Sequence, residues 1–284
     1  MERKSKIKLI LTIAAIVLII VGVSVFYIWN KIKADTTNYA PVVTEGDLQT
    51  TQVTDNPEPD SRSEVAVPIL MYHHIRNYND PADKIGTNLS VPPENFKAQI
   101  DYLKNNGYAT VTFQQFLDFP TKKLPDKPII LTFDDGYLDG YDAAFQNLKA
   151  NGQVAVFYII TDFLGRPDQM TEAQVKEISE TGMEIGSHTL NHPDSTKLSP
   201  DKLNDELIKS KSILEDLTKK NVISFCYPSG QHNAEVDAAV KNAGYLTATT
   251  TSLAISSTSE NKYTLSRLRI NPTDSLAYFA DKIK

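Results

Sequence analysis

The chain has a single cysteine, Cys226, among 284 residues. This excludes an internal disulfide and any zinc cage built from several cysteines, so a metal site here must draw on histidine and carboxylate ligands. Histidine is also scarce, with five in the chain, at positions 73, 74, 188, 192 and 232. Positive charge is not in excess either. Residues 1–63 hold seven basic and seven acidic side chains, so the whole formal charge of -6 belongs to residues 64–284. Such a domain is a poor candidate for binding nucleic acid. There is no internal repeat and no heptad pattern, which removes solenoids and coiled coils.

What is present begins with a core. The chain is 41% hydrophobic, with 13 tyrosines and 11 phenylalanines, enough to fill one domain or two. The run Leu9 to Trp29 carries no charge over 21 residues, and at about 1.5 Å rise per residue it spans a hydrocarbon layer of roughly 30 Å. Arg3, Lys4, Lys6 and Lys8 precede it and Lys31 and Lys33 follow, which puts the N-terminus in the cytoplasm by the positive-inside tendency. A cleaved signal peptide is the rival reading, but its apolar region is usually shorter and "VSVFYIWNK" offers no A-x-A-like site. Residues 34–63, with six acids, many threonines and few large apolar groups, read as a solvated stalk. The expected organisation is a cytoplasmic stretch 1–8, a transmembrane anchor 9–30, an extracellular stalk 31–63 and a folded domain 64–284.

Within 64–284, short apolar runs alternate with helical patterns: "VPILMYH", "PENFKAQIDYLKNNG", "PIILTFD", "YDAAFQNLKANG", "VAVFYII", "TEAQVKEISETG", "MEIGSH" and onward to "SLAYFADKIK". Strand and helix in repeated alternation predict an α/β fold with a parallel sheet under helices. Gly107, Gly152, Gly182 and Gly244 stand where helices should end. At roughly 220 residues, a closed or nearly closed β/α barrel fits better than a small open sheet. In such folds the chemistry sits at the C-terminal ends of the strands.

Three strand ends carry unusual residues. "PIILTFDDGY" finishes in Asp134 and Asp135, which repel each other unless a cation lies near, or which simply form a polar turn with Gly136. "EIGSHTLNH" places His188 and His192 four residues apart. In a helical turn both imidazoles would share one face and could share a metal ion; the alternative is a pair of ordinary surface or core histidines. "ILMYHHI" ends an apolar run in His73 and His74.

Taken together, "TFDDGY" and "SHTLNH" resemble the first two motifs of the polysaccharide deacetylases of carbohydrate esterase family four, the NodB-homology domain, over most of residues 64–284. The resemblance implies a distorted (β/α) barrel, Asp134 as catalytic base, and Asp135, His188 and His192 as ligands of a divalent metal. Zn²⁺ suits these ligands, with Co²⁺, Ni²⁺ or Mn²⁺ as alternatives. The usual family places its general acid late in the chain, in L-x-H. Here the pattern stands early, as in the branch that includes poly-N-acetylglucosamine deacetylases, which implies His73 as the acid. His73 is preferred to His74 because Met71-x-His73 best matches L-x-H and alternation points Met71 and His73 the same way; the alternative is that both merely close the strand.

The sequence also departs from the family. "FCYPSG" stands where R-x-P-Y is usual, so Cys226 replaces the base-orienting arginine and Ser229 the tyrosine. The partner motif D-x-x-D-W is absent. Arg267 in "LSRLRI" is the expected substitute orienter, against a plain surface salt bridge; Tyr227 and Ser229 are the expected substrate contacts, and Cys226 reads as a small core residue. The implied function is removal of N-acetyl groups from an extracellular polysaccharide containing GlcNAc, poly-β-1,6-GlcNAc first and peptidoglycan second. An O-acetyl esterase, a metal-free glycosidase and a non-catalytic wall-binding module are the other readings.

Overall fold

The computed structural model describes residues 59–284. The expected anchor 9–30 and nearly all of the expected stalk lie outside the described residues. Among the described residues no helix is long and apolar enough to cross a membrane.

The alternation read from the sequence is built as β1 (Ile69–Tyr72), α1 (Pro93–Asn105), β2 (Ala109–Thr110), α2 (Phe113–Asp118), β3 (Pro128–Phe133), α3 (Gln146–Asn151), β4 (Val156–Ile159), α4 (Glu172–Glu180), β5 (Glu184–Ser187), α5 (Pro200–Thr218), β6 (Ser224–Cys226), α6 (Ala234–Asn242), β7 (Thr247–Thr249), β8 (Leu268–Arg269) and α7 (Leu276–Lys282). Helix starts follow local chemistry: Thr112 and Thr171 each form a reciprocal capping box, with Gln115 and Gln174. The four expected C-terminal glycines all take positive φ, as at Gly152 (φ 71°), which a side chain would strain.

The main sheet runs in the order β7-β6-β5-β4-β3-β1-β8, all parallel, with β2 beside the first residues of β3. It is curled. Leu265, just ahead of β8, makes a parallel bridge to Thr249 at the end of β7, while β8 itself pairs with β1. The segment 265–269 thus touches both edges of the sheet.

Buried strands with a period of two create two apolar layers. Leu70, Tyr72, Leu131, Phe133, Phe157, Ile159, Ile185 and Phe225 face the helices and form one large core with Phe96, Ile178, Leu207 and Val240. Ile69, Ile130, Val156, Tyr158, Cys226 and Leu265 form a second cluster inside the curl, with Phe113 and Phe116 of α2. Gly186 belongs on this inner side for lack of room: a Cβ there would lie 2.5 Å from the Tyr158 ring. Removing a fully buried phenylalanine such as Phe157 would cost about 3–5 kcal/mol.

The domain begins earlier than expected. Asp60, assigned by sequence to the stalk, is buried; its backbone N–H donates to Pro120 O (2.8 Å), and its carboxylate accepts from Leu124 N (3.1 Å) and pairs with Arg62. The acidic composition of 34–63 hid this residue, because a carboxylate that satisfies a loop N–H looks in sequence like any solvated acid.

Glu184 opens β5 at the opposite end from the strand termini that carry the histidines. One carboxylate oxygen accepts from Phe113 N (2.9 Å) at the start of α2, and the other from Ser224 Oγ (2.6 Å) on β6. Burial nevertheless pushes its pKa up to about 7, against about 4.3 in an unfolded chain. A carboxyl raised on folding stabilises below its unfolded pKa and loses that contribution as pH rises through the folded value. Glu184→Gln should therefore gain thermal stability relative to the parent by several degrees between pH 5 and pH 8, measured by circular dichroism; a constant difference would show that Glu184 ionises normally.

Candidate active site

Because the strands are parallel, the C-terminal ends of β1, β3, β5 and β6 open on one face. His73 follows β1, Asp134 and Asp135 follow β3, His188 follows β5, and Cys226 ends β6. Alternation along β3 sends Ile130, Thr132 and Asp134 inward. Asp135 (φ 74°) and Gly136 (φ 72°) then take left-handed backbone. For the aspartate this costs about 1–2 kcal/mol, and it lets two consecutive carboxylates serve different partners.

Asp134 is paired with Arg267. Nη1 donates to Oδ1 (2.7 Å) and Nη2 to Oδ2 (2.8 Å), a bidentate fork with both groups buried. The rest of the guanidinium is also satisfied: Nε donates to Thr250 O (2.9 Å), Nη1 to Thr132 Oγ1 (3.0 Å) and Nη2 to Cys226 Sγ (3.1 Å). Burial raises the Asp134 pKa, but the charge and hydrogen bonds of Arg267 outweigh it and hold the carboxyl below its usual range. Cys226 is fully buried, and its small thiol leaves the space that the guanidinium fills from another strand.

Asp135 faces the imidazoles. Its Oδ1 lies 3.3 Å from His188 Nε2 and 3.7 Å from His192 Nε2, and the three ligand atoms lie within 4.8 Å of one another. Burial raises its pKa, but the hydrogen bond and charge of His188, with His73 and His192 nearby, bring it well below the carboxylate range. His188 Nδ1–H donates to Cys226 O (2.7 Å), which orients the ring with Nε2 toward Asp135. Two imidazole nitrogens and one carboxylate oxygen, one imidazole oriented by a backbone carbonyl, fit a divalent metal and leave coordination positions for water and substrate.

The helical turn expected from the His188/His192 spacing is not what holds them. Residues 188–192 form an irregular loop with Thr189 (φ 69°) and His192 (φ 62°) left-handed. Its backbone is held from outside: Thr161 N donates to Thr189 O (3.2 Å), Asp162 N to Leu190 O (2.8 Å) and Leu190 N to Glu206 Oε2 (2.9 Å). Four-residue spacing thus brings the rings together by a different backbone path.

The two histidines of "YHH" part company. His73 Nε2 lies 3.8 Å from Asp134 Oδ2, inside the site. His74 is buried on the other side of the strand, donates from Nδ1 to Asp139 Oδ2 (2.7 Å) and stacks on Tyr137. Burial lowers the His73 pKa, with Asp134 and Asp135 pulling the other way. Tyr227 corrects an expectation: its ring is fully buried against Phe225 and its hydroxyl donates to Tyr263 O (3.0 Å), so the side chain is core and not a substrate contact. Ser229 is exposed, in a left-handed turn (φ 52°) beside the site. Sequence reasoning missed Thr132 and Glu206. Thr132 was findable, as it lies two residues before Asp134 on one strand face; Glu206, far along α5, carried no signal.

A family profile described as Polysaccharide deacetylase matches residues 121–248. The Bacillus subtilis (strain 168) protein YxkH, assigned by name to the polysaccharide deacetylases, is 34% identical over 208 residues, covering 72% of this chain and 72% of its own. This chain belongs to the polysaccharide deacetylase family. The poly-beta-1,6-N-acetyl-D-glucosamine N-deacetylase of Staphylococcus aureus (strain MSSA476) is 28% identical over 213 residues, covering 67% of this chain and 73% of that one. The structure of the Streptococcus pyogenes deacetylase PplD in complex with acetate superposes with a TM-score of 0.73 at 32% identity, covering 78% of this chain and 100% of that one. The curled parallel sheet is therefore the NodB-type fold, and the chain is a carbohydrate esterase family four hydrolase. Deacetylases of this family are generally metal-dependent, and the Asp135, His188 and His192 cluster gives this one a possible site.

Removing one partner of a buried ion pair costs about 3–5 kcal/mol because the other charge is left uncompensated. Arg267→Met should lose stability in that range in urea denaturation, and Arg267→Met combined with Asp134→Asn should recover most of it. A double variant no more stable than the single one would assign the loss to packing.

Proposed function

We propose that this deacetylase removes N-acetyl groups from an extracellular polymer of GlcNAc, with poly-β-1,6-GlcNAc as its first substrate. The observation that carries the reading is the division of labour between adjacent aspartates: Asp134 on a guanidinium, Asp135 on two imidazoles.

Asp135, His188 and His192 would hold the divalent metal, Zn²⁺ by preference of the donor set. When bound, such an ion acidifies a water molecule and polarises the amide carbonyl. Asp134 is ionised and fixed by two hydrogen bonds, so its carboxylate is ready to take the proton of the attacking water. His73, close to Asp134 on the neighbouring strand, is placed to protonate the departing nitrogen, and its depressed pKa makes its imidazolium a readier donor. The turn at Ser229 offers a backbone N–H toward the developing oxyanion. Arg267 acts through Asp134 by keeping it charged and oriented.

The choice of polymer is supported by the early "YHH" strand and by the similarity to the staphylococcal enzyme. The extracellular, membrane-tethered placement is supported by the uncharged run from Leu9 to Trp29.

Acetate release by the purified full-length chain, stripped of metal and reloaded with zinc, tests the reading on β-1,6-linked GlcNAc oligomers with peptidoglycan alongside. Release from the oligomers only after reloading, falling by about 10²-fold or more in Asp134→Asn, is the expected result. Release from peptidoglycan alone would move the substrate to the cell wall, and no release from either with metal bound would overturn the reading.

A further inference from the structure

Strand β8 and the residue just before it deliver two arginines to the same face. Arg267 and Arg269 are two residues apart, so they point the same way, while Leu268 between them packs on the outer core. Arg269 is in register with Met71 on β1, and the next inward residue along that strand is His73. Arg269 therefore stands at the mouth of the site, one layer above the buried Arg267.

The two differ in their partners. Arg267 has all its nitrogens engaged. Arg269 is half-buried, yet among the described residues its side chain makes no hydrogen bond, ion pair or ring contact. The other arginines of residues 59–284 are engaged: Arg62 with Asp60, Arg76 with Ser90 and the Tyr78 ring, Arg166 over Phe163. The charged groups that Arg269 feels are those of the site. Burial lowers its pKa, as does Arg267, while Asp134 and Asp135 pull it upward; a guanidinium stays protonated throughout. A partly desolvated cation without a partner is costly, unless an anion arrives there in the course of the work.

The proposed reaction generates such an anion. Water adds its oxygen to the acetyl carbon, the C–N bond breaks, the nitrogen leaves as an amine with the proton it receives, and the acetyl group ends as acetate. That carboxylate is formed where Arg267 already answers Asp134 and the metal would answer Asp135, so the guanidinium of Arg269 is a further cation at hand for it. The planar fork of an arginine matches it in two hydrogen bonds.

We propose that Arg269 is a carboxylate-binding residue at the mouth of the active site. The carboxylate is either the acetate product or an acid group on the sugar next to the one being deacetylated. The acetate source rests on the deacetylation reading above; binding of a carboxylate by Arg269 does not.

The test uses the full-length zinc-loaded chain, Arg269→Gln and Arg269→Lys, with thermal stability and zinc content checked for each. Acetate binding is followed by ¹³C-acetate NMR titration, which needs no turnover. KM is measured on neutral GlcNAc oligomers and on muramic-acid-containing oligomers that carry a carboxylate. Acetate binding weakened roughly tenfold in Arg269→Gln and partly kept in Arg269→Lys identifies the product as the anion. A KM that rises only for the carboxylate-bearing oligomers, with acetate binding unchanged, identifies the substrate as its source. Changes below twofold in both, in a folded and zinc-loaded Arg269→Gln, overturn the proposal. If no substrate is turned over, the acetate titration still decides, so failure of the deacetylation reading and failure of this one remain separate.

Discussion

The buried pair between Arg267 and Asp134 is the constraint on which the rest of the site depends. Two opposite charges removed from water are tolerated only when the geometry is good and the remaining donors are satisfied. Here both oxygens of Asp134 accept from the fork, and Thr132, Thr250 and Cys226 take the other hydrogens. Neutralising Asp134 in this way removes one of two adjacent negative charges from contention. Asp135 is then free to face His188 and His192, and one strand end can supply both a base and a metal ligand.

The pair also depends on the fold's closure. Arg267 lies between Leu265, which bridges to β7, and Leu268, which pairs with β1. Its guanidinium enters the curl where the inner layer is small, against the thiol of Cys226. A larger residue at 226 would meet the guanidinium, which lies 3.1 Å from Sγ. The arginine that the family usually mounts at that position and the one mounted here on a distant strand exclude each other by volume.

Much of this was legible in the sequence because it follows from period and punctuation. The strands, the helix-ending glycines and the placement of His73 rather than His74 beside Asp134 all rest on alternation and on residues with special backbone freedom. What escaped depends on three-dimensional company. Tyr227 looked like a substrate contact from its place in "FCYPSG", but its ring continues on the helix-facing side with Phe225 and its hydroxyl bonds to Tyr263. Asp60 looked like stalk because its partner, Leu124, is 64 positions away. Glu206 holds the histidine loop from 16 positions away on a helix face, where an acid is ordinarily solvent-facing.

Among the described residues two groups of ligand atoms converge closely enough to hold an ion: Asp135 with His188 and His192, and Asp134 with His188 and Cys226. The first suits the proposed metal, because the second shares its carboxylate and thiol with a buried guanidinium that a divalent cation would confront. Anomalous diffraction from crystals of the zinc-loaded protein decides between them. The account predicts one zinc ion on Asp135 Oδ1, His188 Nε2 and His192 Nε2, with Arg267 still paired to Asp134. Zinc on Cys226 Sγ and Asp134, with the guanidinium displaced, would contradict it.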